Sequence, residues 1–210
     1  MLTGFTAFAL FLFADDLVTE GTVGYAGLIL IFPLLLAGLG LTLTAVAILL
    51  KWAVAGRFRP GERPLWSHGV WRAEFAAGMH EHVAMPALVG LLLGTPFAPW
   101  YYRLLGARFG RRTYCETAYL TEFDLVSVGD GAALNMGCDL QTHLFEDRVM
   151  KMSRLRIGRG ASVGAFAVVL YDATVDDRAR VAGLSLVMKG ETAVAGGLWA
   201  GVPARRSSRV

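Results

Sequence analysis

Lysine and cysteine are scarce in this chain, and it has no long run of like charges. Three lysines stand beside seventeen arginines, and 20 basic against 17 acidic residues leave a net charge of +3. So small an excess, with no nucleic-acid motif, gives no reason to expect a nucleic-acid partner. The two cysteines, Cys115 and Cys138, do not form a CxxC pair, which argues against a zinc site. In a cytoplasmic domain both would stay reduced. His80-Glu81-His82 is the one cluster that suggests a metal. Residues i and i+2 point to different sides of a helix, whereas helical zinc sites use i and i+4, so no metal is expected. Gly196-Gly197 lacks the strand–helix context of a phosphate-binding loop. Nothing suggests a bound haem, flavin or nucleotide.

Apolar residues are plentiful. They make up 55% of 210 residues, too many for an ordinary soluble domain of this size. The excess is concentrated at the front. Val23 to Leu50 carries no charge and is long enough to cross a bilayer with tilt. Pro33, Gly38 and Gly40 are tolerable in such a helix. Leu2 to Ala14 is also uncharged but short for a crossing. It reads as the tail of a longer span or as a re-entrant segment, and it lacks the basic region and cleavage site of a signal peptide. Asp15, Asp16 and Glu20 separate the two segments, while Lys51, Arg57, Arg59 and Arg63 follow the second. The positive-inside rule then places everything after Lys51 on the cytoplasmic side of an integral membrane protein.

Between these segments and the rest, Trp66 to Leu93 reads as one or two helices at the membrane surface, with Trp66 and Trp71 suited to the headgroup layer. Ala87 to Gly94 is apolar but too short for a span. Trp100, Tyr101 and Tyr102 suit an interface in the same way.

From Ile157 the sequence falls into sixes: IGRGAS, VGAFAV, VLYDAT, VDDRAR, VAGLSL, VMKGET. Each block opens with Ile or Val, and position five is small in five of the six. One aliphatic per six residues fits neither helix nor ordinary strand. It fits a chain that turns 120° per block, a parallel β-helix with three short strands per coil. Val128 opens a further coil (VGDGAA, LNMGCD, LQTHLF), and Phe109 to Ser127 is roughly a coil with one surplus residue. Cys138, at position five of its block, is expected to pack inside. Glu146 to Arg156 interrupts the repeat and is expected to loop out at a corner. The expected organisation is therefore a transmembrane helical hairpin at 1–60, an interfacial helical linker at 61–105, and a mainly β domain at 106–210. This last is a parallel β-helix of hexapeptide repeats with an inserted loop at 146–156.

Asp139, Gln141, Thr142, His143, Glu146, Asp147 and Arg148 cluster at that loop, and His143 is the single histidine of the repeat region. Imidazole titrates near neutrality and suits a general base. Asp139 or Glu146 would hold the ring in the needed tautomer. Backbone N–H groups at the coil corners would be available as hydrogen-bond donors. The bland alternative is a solvated loop histidine.

The stretch LLGARFGRR (Leu104 to Arg112) and the closing WAGVPAR (Trp199 to Arg205) resemble the flanks of hexapeptide-repeat acyltransferases. That resemblance implies a left-handed β-helix, a trimer, and His143 as base. YLTEFDLVSVGDGAALN, LQTHLFEDRVMKM and IGRGASVGAFAVVLYDA resemble, more closely, the C-terminal region of ε-poly-L-lysine synthetases and related nonribosomal peptide synthetases. There, membrane helices alternate with three related soluble domains behind adenylation and carrier domains. The resemblance implies that an aminoacyl thioester on a carrier's phosphopantetheine is condensed with an amino-acid amine, in a homotrimer or pseudo-trimer that needs carrier and adenylation domains in cis or trans. On that reading Glu146 and Asp147 orient the base or bind a cationic acceptor, or are simply a solvated edge. Arg148 and Lys151 would face the pantetheine phosphate. Two rival readings stay open: an acetyl-CoA-dependent O- or N-acetyltransferase, and a non-catalytic structural copy in a tandem array.

Overall fold

The computed structural model describes residues 2–19, 21 and 25–207. Met1, Glu20 and residues 22–24, where the uncharged stretch begins, lie outside the described residues. Helices Leu2–Thr19 and Tyr25–Leu50 come first, and the second continues through a π-helical turn, Lys51–Ala55. Among the described residues, one helix is long and apolar enough to cross a membrane, Ile29–Ala55. Its most apolar window is only 11% buried, so its side chains face outward and not into a protein core. Gly40 sits where this helix presses on another segment. A Cβ there would lie 2.7 Å from the Ala87 carbonyl oxygen.

The linker is not wholly helical, contrary to expectation. Strand Gly61–Pro64 pairs antiparallel with Val149–Met152, a strand of the insertion. The insertion's apolar residues account for this, since Met150 and Met152 are buried with Phe58, Val70 and Ala73. Helix His68–Met79 follows, capped by the Ser67 side chain, which accepts from the Val70 N–H. The π-helical stretch His80–Val89 contains Pro86, whose missing N–H removes an ordinary helical bond. Helix Phe97–Leu104 then leads into the repeat domain. Here the interface expectation for Tyr101 and Tyr102 needs correction. Both are buried in the core, and the Tyr102 hydroxyl donates to the Thr117 carbonyl at 2.8 Å. Trp66, Trp71 and Trp100 are exposed.

The repeat domain is a parallel β-helix with three faces. One face stacks Arg108–Phe109, Val126–Val128, Leu155–Ile157, Thr174–Val175 and Thr192–Ala193. A second stacks Tyr114–Cys115, Ala133–Leu134, Ser162–Val163, Arg180–Val181 and Leu198–Ala200, and Arg205–Ser207 closes it antiparallel. The third stacks Asp139–Gln141, Val168–Leu170 and Leu186–Val187, with Leu120 bridged to Leu140. Position one of each block forms three buried ladders: Val128–Ile157–Val175, Leu134–Val163–Val181 and Leu140–Val169–Val187. Ala161, Ala167, Ala173 and Ala179 fill the corners at position five, and Cys138 is buried at the equivalent place. At Gly158 an added Cβ would lie 2.5 Å from the Asp177 backbone nitrogen, so a coil corner there admits only glycine.

The six-residue period fails twice. Between Leu120 and Val126 the chain departs from the repeat through Glu122, at φ 27°, and a 3₁₀ turn, Phe123–Leu125. The second break is a β-hairpin, His143–Glu146 against Val149–Met152, closed at its base by the Ser153 N–H donating to the Thr142 carbonyl at 3.1 Å. The insertion thus leaves the solenoid at His143, not at Glu146. The hairpin's antiparallel bonds and the burial of Met150 and Met152 draw 143–145 out of the repeat.

The long helix is tied to the solenoid by an ion pair. Lys51 Nζ lies 2.8 Å from Asp124 Oδ2, with side chains 1% and 5% exposed. The Phe58 N–H donates to the same oxygen, and the Trp52 indole donates to the Leu104 carbonyl.

Candidate active site

The two breaks in the period face each other. His143 Nδ1 lies 2.8 Å from Glu122 Oε2, and the two side chains are 10% and 2% exposed. The Thr142 hydroxyl donates to the same oxygen at 2.7 Å. Its proton is therefore committed, and Thr121 must donate to Thr142 across their 3.0 Å contact. A carboxylate only accepts, so Nδ1 carries the proton in the neutral ring and Nε2 keeps its lone pair. Among the described residues no protein group bonds Nε2. Phe145 packs edge-on against the ring at 5.2 Å between centroids.

The ring opens on a cleft of ≈ 480 Å³ between the helical segment and the solenoid. The solenoid wall is Asp139, Gln141, Thr121, Glu122 and Tyr119, and the helical wall includes Glu74, Glu81 and His82. Asp139 and Gln141 flank the buried Leu140 on one strand, so alternation turns both outward to the cleft. Burial lowers the pKa of His143. The hydrogen bond and charge of Glu122, with the charges of Glu74 and Asp139, outweigh it, and the net direction is upward. Asp139 is pushed up to about 6 by burial, with His143 pulling the other way.

Of the seven residues singled out in the sequence, the structure brings together Asp139, Gln141, Thr142 and His143. It leaves Glu146, Asp147 and Arg148 away from the cleft. Glu146 is paired with Lys151 at 3.1 Å and Lys189 at 2.5 Å. Asp147 and Arg148 are the exposed central residues of the two-residue hairpin turn, with φ 52° and 62°. The carboxylate on the ring is Glu122, not Asp139 or Glu146. His80, from the cluster that suggested a metal, is buried between the Tyr101 hydroxyl and the Ala118 carbonyl. His82 lines the cleft, on the other side of its helix.

Sequence reasoning missed Glu122, Thr121, Glu74 and Glu81. Two signals pointed to them. Glu122 sits in the coil that carries a surplus residue. Glu74, Gly78 and Glu81 recur at the four- and seven-residue spacing of one helical face.

The fold and this pair define a hexapeptide-repeat β-helix protein with a buried carboxylate–histidine couple beside an acidic cleft. No family model matches the sequence. The chain is 43% identical over 173 residues to the delta-poly-L-ornithine synthetase of Acinetobacter baumannii (strain AB307-0294). The match takes in 81% of this chain and spans 13% of that protein's length. Similar solved structures include a maltose O-acetyltransferase from Clostridium difficile 630, at 13% identity and a TM-score of 0.48, covering 75% of this chain and 95% of that one. Another is a hexapeptide transferase family protein from Anaplasma phagocytophilum, at 21% identity and a TM-score of 0.39, covering 50% and 55%.

Proposed function

We propose that this chain is an acyltransferase module that forms an amide between an activated amino acid and the amine of a diamino acid. The observation that carries the reading is the Glu122–His143 pair opening on a cleft lined by Asp139, Glu74 and Glu81. Nε2 takes the proton of the attacking amine as nitrogen adds to the thioester carbonyl. It returns that proton to the sulfur as the C–S bond breaks. Glu122 holds the tautomer and stabilises the imidazolium between the two steps. Carboxylates on the cleft wall suit an acceptor with a second, cationic amine. The likeness to a poly-ornithine synthetase supports both the amide and the cationic acceptor.

The donor is an aminoacyl thioester on a carrier protein's phosphopantetheine, charged by an adenylation domain in cis or trans. The chain's match to a small part of a much longer relative supports such partners. The β-helix is left-handed and works as a homotrimer or pseudo-trimer, as the family resemblance implies. Ile29–Ala55 anchors the chain in the membrane with the β-helix on the cytoplasmic side, supported by the apolar helix and the basic residues that follow it.

The test offers detergent-solubilised wild type and His143→Gln an aminoacyl-pantetheine thioester with ornithine or lysine, and separately acetyl-CoA with the same acceptor. Amide product that falls by about 2 to 4 orders of magnitude in the variant fits a lost general base. Acetylated product alone would replace this reading with a CoA enzyme, and equal turnover in a folded variant would remove His143 from the chemistry.

A further inference from the structure

A second cleft, of ≈ 640 Å³, opens on another face of the solenoid beside the end of the long apolar helix. Five arginines line it: Arg57, Arg59, Arg108, Arg154 and Arg156. No lysine does, and the two acidic residues are Asp124 and Asp172. Asp124 is already neutralised by the buried Lys51. Asp172 is the one further carboxylate on the wall, so the guanidinium groups outnumber the opposing charge. Among the described residues, Arg59, Arg108, Arg154 and Arg156 form no ion pair, and all five arginines are exposed. Arg57 alone has a carboxylate within reach, Asp124 Oδ1 at 3.8 Å, and the four unpaired cations beside it repel one another, so the arrangement favours an anion between them.

The register narrows the anion. Arg108 and Arg156 flank Ser127 on adjacent strands of the parallel face, each in direct register with it. Their Cα atoms are therefore about two strand spacings, roughly 10 Å, apart. Arginine side chains are long enough to reach one group bound between the two strands. Planar guanidinium forks match the oxygens of a phosphate, which they bind in bidentate fashion. Position narrows it further. Arg57 and Arg59 come directly after Ala55, where the membrane-length helix ends. A cleft built on these residues lies at headgroup depth on the basic, cytoplasmic side. Anionic lipids lie there and attract juxtamembrane arginine.

We infer that this arginine cleft binds the phosphate of an anionic phospholipid headgroup, fixing the solenoid's tilt over the membrane. The site is separate from the His143 cleft and shares no lining residue with it. The inference rests on the reading of Ile29–Ala55 as a membrane span.

The test uses the full chain purified in detergent, as wild type, as Arg108→Gln/Arg154→Gln/Arg156→Gln, and as the corresponding triple Lys variant. Tail-labelled phosphatidylglycerol and phosphatidylcholine are titrated separately in mixed micelles. Wild type is expected to prefer phosphatidylglycerol, and the Gln variant to lose on the order of 100-fold in affinity, roughly fivefold per arginine. The Lys variant should keep most of the preference, and unchanged melting in both would show that charge, not folding, was removed. Equal binding of the two lipids by wild type, or undiminished binding by the folded Gln variant, overturns the site. Saturation by inorganic phosphate or pantetheine 4′-phosphate without a phosphatidylglycerol preference overturns the lipid as its source. Carbonate extraction of membranes reads the anchor separately. Release of the chain would remove the membrane reading and with it the lipid assignment, whereas retention without lipid preference removes the headgroup site alone.

Discussion

Glu122→Gln is the sharpest test of the proposed chemistry, because it keeps shape and volume and removes only charge. In the wild type Glu122 Oε2 accepts from both His143 Nδ1 and the Thr142 hydroxyl, in surroundings that leave its side chain 2% exposed. A glutamine oxygen can accept the same two bonds, so the ring should stay in place. The imidazolium, however, loses the charge that outweighs its burial, and the histidine pKa should fall from its raised position. Two consequences follow. The ascending limb of kcat/KM should move to lower pH, since the base is free of its proton earlier. Turnover on the plateau should fall on the order of 100-fold, the lower part of the range for impaired general-base catalysis. Stability changes with the matching sign. A raised native pKa contributes stability that is full below the ordinary histidine value of about 6.5 and is lost as pH rises through the native pKa. The melting-temperature deficit of Glu122→Gln should therefore be larger at pH 5.5 than at pH 8.5. A limb that stays put or moves upward in a folded variant would refute the coupling between Glu122 and His143.

Asp139→Asn should raise KM for a cationic acceptor. In the wild type that KM should climb as pH falls through about 6, where Asp139 takes up a proton; initial rates across pH 5 to 8 would show it, and the variant's profile should be flat. Gly158→Val places side-chain atoms against the Asp177 backbone and should cost at least about 1 to 3 kcal/mol in denaturant unfolding, the scale of overpacking. Lys51→Met leaves the Asp124 carboxylate with the Phe58 N–H and the Arg57 guanidinium, 3.8 Å away, and should cost about 3 kcal/mol, the lower end for breaking a buried pair, whereas Lys51→Met with Asp124→Asn should recover much of that loss. Equal melting temperatures for the single and double variants would show that the pair does not hold the helix to the solenoid.

The solenoid was legible because its signal is repetitive. Each aliphatic that opens a block from Ile157 to Val187 carries the same instruction, and stacking at a fixed strand spacing enforces it coil after coil. His143 stood out as the single imidazole in that domain, and Asp139 and Gln141 as its neighbours in sequence. Glu122 was not, because a carboxylate 21 residues upstream has no local pattern linking it to His143. Its place comes from coil stacking, which brings the segment after Leu120 beside the segment after Leu140. Glu146, Asp147 and Arg148 lie away from the cleft for a different reason. Nearness in sequence suggested nearness in space, but an antiparallel hairpin carries its turn away from its base. Tyr101 and Tyr102 failed because an aromatic at an interface and one in a core read alike from composition.

The Glu122–His143 pair and the irregularities of the repeat share one physical origin. In a regular coil, position one points inward, position five fills a corner, and little freedom is left to aim a side chain. Here Glu122, at φ 27°, lies in a segment that has left the repeat, and its carboxylate reaches His143 on the neighbouring coil. His143 gains the same freedom one coil away, as the first residue of a hairpin whose far strand is held by Gly61–Pro64. The linker strand therefore supports the hairpin from outside while Glu122 holds the ring from within. The regular coils on either side supply the rigidity that keeps the two breaks 2.8 Å apart. The segment after the membrane-length helix thus does more than join domains. It fixes the histidine through β-pairing and supplies Glu74 and Glu81 to the opposite wall, which couples the geometry of the cleft to the way the solenoid sits beneath its apolar helix.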